Sequence, residues 1–227
     1  MIAYLSDMYD STVVILRREL WKAFYETALM LLISFSVSAA AGGLLGLQLF
    51  VGSSQLTAHR RVCGSIIGWI INVVRSIPFI ILTVFSLPLT FLITGTKIGP
   101  VAAAVPLSMA ATAFFARLME SALRGVSPGV IEAAVAQGAS LRLIITDVLL
   151  VEAAPAIVRG LTITFISLIG FSAMAGMVGG GGVGNLAIQY GYYRYETGVM
   201  LFTIITLVAA VQLVQLAGDR LARHLSH

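Results

Sequence analysis

The chain has 227 residues, of which 59% are hydrophobic and only 11% charged, with a mean hydropathy of +0.98; soluble domains carry roughly 25% charged residues. That composition places it in a bilayer, with room for about five or six spans of about 20 apolar residues each and none for a separate soluble domain. The net charge of +4 does not point to nucleic acid, because the basic residues stand singly or in pairs without interleaved aromatics, and the lone Cys63 excludes an intrachain disulfide and is read as a small packing residue.

Residues 1–22 include Asp7, Asp10, Arg17, Arg18 and Glu19. A signal peptide would instead place an apolar core after a basic start, so the first span is expected to do the targeting. That span covers about 24–51, with Gly42, Gly43 and Gly46 near its end to allow close helix approach. A polar loop over 52–61 follows. The next apolar run, 62–93, is too long for one straight span. It contains Arg75, Ser76 and Pro78, and proline both removes a backbone donor and disfavours helix in the residue before it. One span broken at 75–78 is therefore predicted.

A turn at 94–100 leads to a third span at 98–118, which Pro106 should kink. Residues 119–147 hold Glu120, Arg124, Glu132, Arg142 and Asp147 and are assigned to a loop outside the hydrocarbon. Within that loop, Ser127 as N-cap and Pro128 in the first turn open a short amphipathic helix closing at Gly138, and a second helix starts after Ser140. A fourth span at 149–177 is followed by the glycine run 179–184, read as a flexible external loop, and a fifth span occupies 197–218. Tyr190, Tyr192, Tyr193 and Tyr195 suit a membrane-interface belt. The expected fold is thus all-α: one membrane domain over 1–227 with five transmembrane helices and a docking loop at 119–147.

If the loop after the first span, the 119–147 loop and the C-terminus share one side, that side holds Arg60, Arg61, Arg117, Arg124, Arg142, Arg220 and Arg223. The other side holds Arg17, Arg18, Lys22, Lys97 and Arg194. The positive-inside rule then puts the N-terminus outside and the C-terminus in the cytoplasm.

Catalytic chemistry finds no support. His59, His224 and His227 lie in polar ends, and neither a metal-ligand set nor a nucleophile arrangement such as HExxH or GxSxG is present. The glycine run lacks the Lys-Ser/Thr of a phosphate-binding loop, so no nucleotide site is expected in this chain. Arg75 in an apolar run costs roughly 2.5 kcal/mol or more at the bilayer centre. It must face water, a partner or the interface, either capping carbonyls freed by Pro78 or touching substrate. Phe171, Met174 and Met177 recur at i, i+3 on one helix face, either as plain packing or as a soft lining for a path, with Ser172 beside small residues.

The segment Glu132-Ala133-Ala134, then Gly138, then 148–150 as aliphatic-x-Leu, resembles the cytoplasmic loop by which permease subunits of bacterial ABC importers engage their ATPase. An acidic anchor beside two small side chains lets another protein's backbone approach, and Gly138 permits the left-handed turn that folds a second helix back. The stretches 75–82, 105–107, 171–176, 179–184, 190–192 and 215–220 narrow the likeness to the permease subunit of methionine ABC importers, over about 26–223 and in the same order. The resemblance implies two identical permeases, two ATP-binding subunits carrying ATP and magnesium, and an extracytoplasmic binding protein delivering L- or D-methionine. It assigns ATPase coupling to Glu132, Ala133, Ala134 and Gly138. Arg75, Ser76, Pro78, Phe171, Ser172 and Met174 become candidates for the translocation path. In place of the family's usual Leu-Pro stands Leu150-Val151, which is expected to loosen the break into the fourth span. A permease of the same fold for another small amino acid or anion remains the alternative. A stand-alone pore would have no use for a motor-docking loop, and five spans in one copy do not enclose a symmetric path.

Overall fold

The computed structural model describes residues 2–53 and 61–226, and every regular element among them is helical. Helix α1 (Ile2–Val37) continues through a π-helical turn at Ser38–Gly42 into α2 (Gly43–Ser53). The apolar part of this rod, Ser11–Gly52, has 42 residues. At 1.5 Å per residue it is about 63 Å long, roughly twice the hydrocarbon thickness. The helix therefore starts well before the expected residue 24. Its charges at 17–22 do not end the helix, because Ile15, Leu16 and Leu20 pack on a core of Ala23, Val183, Leu186 and Val199.

The expected polar loop falls largely on 54–60, which lie outside the described residues, as does the side chain of Cys63. Helices α3 (Arg61–Ser76), α4 (Phe79–Phe85) and α5 (Leu87–Thr94) make up the second apolar segment. The predicted break is present: α3 and α4 meet at 106°, with Pro78 at ψ 137°, outside the helical range.

Helix α6 (Pro100–Arg124) passes through Pro106 as one helix and runs beyond the expected end at 118. The charges that suggested a loop satisfy one another at helical spacing, Glu120 lying 2.7 Å from Arg117 and 2.8 Å from Arg124. Helix α6 is also the central post. The first rod lies against it where a Cβ on Gly42 would stand 3.0 Å from the Thr112 carbonyl oxygen, and one on Gly46 2.5 Å from Met119 Cβ.

Beyond α6 come α7 (Pro128–Ala136), α8 (Leu141–Leu143), a π-helical turn at Ile144–Leu149 and α9 (Leu150–Glu152). The fourth span begins at Ala154, later than the expected 149. Leu149 is fully buried in the core that carries the docking segment, and Pro155 opens a new helix. That helix, α10 (Ala154–Ala175), extends through Gly176–Gly180. Then come α11 (Gly182–Leu186) with a π-helical turn at Ala187–Tyr192, and α12 (Thr197–Leu225), which outlasts its expected end at 218. Among the described residues four helices are long and apolar enough to cross a membrane, and the bent α3–α4 pair makes up to five.

The two larger apolar clusters tie the long helices together. Met30, Phe79, Leu107 and Leu168 join α1, α4, α6 and α10. Phe50, Phe115, Met119, Leu123, Ile144 and Leu149 join α2 and α6 to the segment after α7.

Candidate functional site

The docking segment is built from local rules. Ser127 occupies the N-cap position of α7, with Pro128 in its first turn, although the Ser127 side chain accepts no capping hydrogen bond. At the other end the Ala139 N–H donates to the Ala134 carbonyl (3.0 Å) and the Gly138 N–H to the Val135 carbonyl (2.9 Å), with Gly138 at φ +76°. These two bonds and the left-handed residue make a Schellman cap, which turns the chain sharply towards α8. There the Ser140 hydroxyl accepts from the Leu143 N–H, so the second expected helix start is also present.

No residue of α7 is buried. Ile131 and Ala134 lean on the core below, whereas Glu132 and Ala133 are exposed and Val130 and Val135 are 40% and 52% exposed. A short helix thus presents two valines, two alanines and one carboxylate outward, a surface suited to a protein groove rather than to bulk water. The substitution at Leu150-Val151 leaves the break into α10 in place, at Ala153.

The path candidates fall into two groups. Phe171 stacks on Phe79 with ring centroids 4.9 Å apart and planes 16° apart, which holds the break of the second segment against α10. Arg75, Ser76 and Pro78 are exposed on that break. Among the described residues Arg75 makes no hydrogen bond or ion pair, so it does not cap carbonyls near Pro78. Met174 is 42% exposed and Met177 53%, and Phe171 is half-buried on their side of the helix. Ser172 stands apart: it is buried, and its hydroxyl donates to the Ile169 carbonyl at 2.8 Å. Residues 172 and 174 are about 200° apart around a helix, so a surface that includes Met174 leaves Ser172 inside.

The glycine run is not a free external loop. The Gly182 N–H donates to Glu26 Oε2 at 2.7 Å, the Val183 N–H to Thr27 Oγ1 at 2.9 Å, and the Gly99 N–H to the Gly179 carbonyl at 2.8 Å. Gly179, Gly181 and Gly182 take positive φ, and Gly180, Gly182 and Gly184 are buried. Side chains of the first helix thus satisfy the first donors of α11, which no residue of its own does. Of the tyrosines, Tyr192, Tyr193 and Tyr195 are exposed, while Tyr190 packs against the Ala23–Val183 core under the Arg194 guanidinium.

Sequence reasoning passed over Phe79, Glu26 and Thr27, whose partners lie far away in the chain. It also passed over the grouping of Arg117, Glu120 and Arg124, whose i+3 and i+4 spacing was a legible signal. Among the described residues no cluster of His, Cys, Asp or Glu could hold a metal ion.

Known proteins resemble this chain in sequence and fold. The family described as binding-protein-dependent transport system inner membrane component matches residues 42–227. A "Probable D-methionine transport system permease protein MetI" of Vibrio cholerae is 43% identical over 205 residues, 90% of this chain and 91% of that protein. The "Methionine import system permease protein MetP" of Bacillus subtilis is 42% identical over 201 residues, 88% and 90% of the two chains. Among solved structures, the MetNI methionine ABC transporter in an inward-facing conformation superposes with a TM-score of 0.89 at 41% identity, over 93% of this chain and 98% of that one.

Proposed function

The chain belongs to the family of binding-protein-dependent transport system inner membrane components, and on that premise we propose that it is the permease subunit of an ATP-driven methionine importer. It is a multi-pass inner-membrane permease with several apolar helices, and its task is to move a substrate rather than transform one. Relatives named for methionine or D-methionine transport, alike over about nine-tenths of its length, support methionine as the cargo.

The observation that carries the coupling reading is α7. A helix without a single buried residue, ended by a tight Schellman turn and offering Glu132, Ala133 and two exposed valines, needs a protein cover. In this reading the cover is a groove on a cytoplasmic subunit that binds ATP and magnesium. Glu132 anchors, Ala133 and Ala134 let the partner backbone approach, and Gly138 sets the angle of the returning chain. Two copies of the permease pair with two such ATPases. An extracytoplasmic binding protein delivers methionine on the side of the glycine run. The N-terminus lies outside and the C-terminus in the cytoplasm, in keeping with the seven basic residues against five that the sequence assigns to the side of the 119–147 loop.

For the path, the same reading uses Arg75, Ser76 and Pro78 at the break, with Phe171 and Met174 on α10. Ser172 supports the wall from within. Thioether sulfur is soft and polarizable and tolerates varied contacts, so Met174 and the Phe79–Phe171 stack suit a methionine side chain passing through. The test is ATP-dependent uptake by the reconstituted complex, offered radiolabelled methionine against a panel of other amino acids. Uptake of methionine, competed by L- or D-methionine and not by the panel, is the expected result. Preference for another amino acid or an anion would overturn the substrate assignment.

A further inference from the structure

A polar cluster around the buried Glu120 links the docking segment to the broken span. Glu120 on α6 is 7% exposed and uses both carboxylate oxygens. Oε2 accepts from Arg117 Nη1 at 2.7 Å, and Oε1 accepts from Arg124 Nη2 at 2.8 Å and Nε at 3.2 Å. The second amino group of Arg117 leaves α6 altogether, for Nη2 donates to the Gly68 carbonyl and to Asn72 Oδ1, each at 2.9 Å. A Cβ added to Gly68 would stand 3.3 Å from that nitrogen, so the guanidinium lies flush on α3. Gly68, Asn72 and Ser76 are spaced one turn apart, and the Ser76 hydroxyl donates to the Asn72 carbonyl at 2.8 Å. The ladder thus climbs α3 and ends at the 106° break. At its other end, Met119, Leu123 and Val126 of α6 and its exit share one core with Ile144 and Leu149, on which Ile131 and Ala134 of α7 pack.

We infer that Arg117 and Glu120 form a strut that carries a displacement of the docking helix α7 to the break at 76–78, and are positioning residues for transport; this rests on the permease reading. Apolar contacts between α3 and α6, such as Ile71 with Ala113 and Ala116, can slide because they have no direction. Charge-assisted hydrogen bonds with fixed geometry cannot. Pulling Arg117 off Gly68 and Asn72 while Glu120 holds it would break two hydrogen bonds to a charged donor at a part-buried site, which is disfavoured. Helix α3 therefore follows α6, and α6 follows α7 because only residues 125–127 separate the two helices, with the Gly125 N–H bonded back to the Ser121 carbonyl and the Val130 N–H to the Ser127 carbonyl.

The experiment compares wild-type and variant permeases in complex with the ATPase partner, in proteoliposomes, measuring methionine uptake and ATP hydrolysis in the same vesicles. Glu120→Gln, Arg117→Lys and Asn72→Leu should each lower methionine imported per ATP hydrolysed at least fivefold. Glu120→Asp should restore part of the ratio. Asn72 is exposed, and its replacement leaves Glu120 with both arginines, so that variant reports on the strut even where the buried ones fail to assemble. An unchanged ratio in Asn72→Leu, or equal losses of uptake and hydrolysis in every variant, overturns the strut and leaves the cluster as structural support. The wild-type complex is the control on the premise. Without methionine uptake there, the transport reading fails and the strut with it; normal wild-type uptake with unaltered variant ratios overturns the strut alone.

Discussion

At Gly138 an added Cβ would meet nothing within 4 Å, yet φ is +76°, so this glycine is required by backbone conformation alone. A β-branched residue is poorly tolerated there, whereas asparagine adopts the left-handed region readily. Gly138→Val should therefore cost about 1–2 kcal/mol at the turn and misaim α8. ATP hydrolysis should continue while ATP-driven uptake falls, with membrane insertion intact and with Gly138→Asn close to wild type. Glu132→Lys should uncouple in the same way by removing the exposed acidic anchor, and normal uptake in both Gly138→Val and Glu132→Lys would refute the docking role. Gly46 shows the opposite constraint. Its backbone is helical, but a Cβ would fall 2.5 Å from Met119 Cβ and 2.6 Å from the Ala116 carbonyl oxygen. Gly46→Leu forces the first rod away from α6, and overpacking of this kind costs about 1–3 kcal/mol. A lower unfolding temperature of the purified complex is expected, and an unshifted one would rule out the close approach.

Among the elements, proline and glycine were reliable guides where they act on their own neighbours. Pro78 located the break, and Pro128 with Gly138 bounded α7. Charge was a poor guide to helix ends, since Glu120 between Arg117 and Arg124 is neutralised within α6 and the helix runs on to Arg124. The glycine run misled for a different reason. Its order comes from Glu26 and Thr27, 156 residues earlier, and no local pattern records such a partner. On α10 the pattern of 171, 174 and 177 did carry information, because it separates the exposed Met174 from the buried Ser172. If the Phe171–Met174 face lines a water-filled path, Met174→Cys in a Cys63→Ala background should be labelled by small water-soluble thiol reagents. Labelling should also change when a non-hydrolysable ATP analogue traps the complex. Ser172→Cys, on the inward side, should stay unlabelled, and absence of labelling at 174 in every state would make that face ordinary packing.

For the molecule as a whole, apolar length and composition made the spans legible, whereas the grouping of helices around α6 depends on contacts between distant segments, such as Gly46 with Ala116 and Phe79 with Phe171. That grouping bears on how many copies make a path. A polar substrate facing lipid has no hydrogen-bond partners, so the route must be ringed by helices on all sides. Among the described residues one copy offers at most five spans, and its first rod is already packed along α3, α6, α10 and α11. Arg75, Ser76 and Pro78 lie on an exposed surface beside exposed Trp69 and Ile81, an unfinished wall that a second copy, related by a two-fold axis, would close. The same symmetry would present two α7 helices, one for each of two ATPases. Single cysteines at 78 or 174 should then cross-link between copies in membranes, and one at Leu32, exposed on the first rod, should not. A transport-competent complex whose measured mass admits only one permease chain would refute the pair, as would efficient cross-linking at 32 with none at 78 or 174.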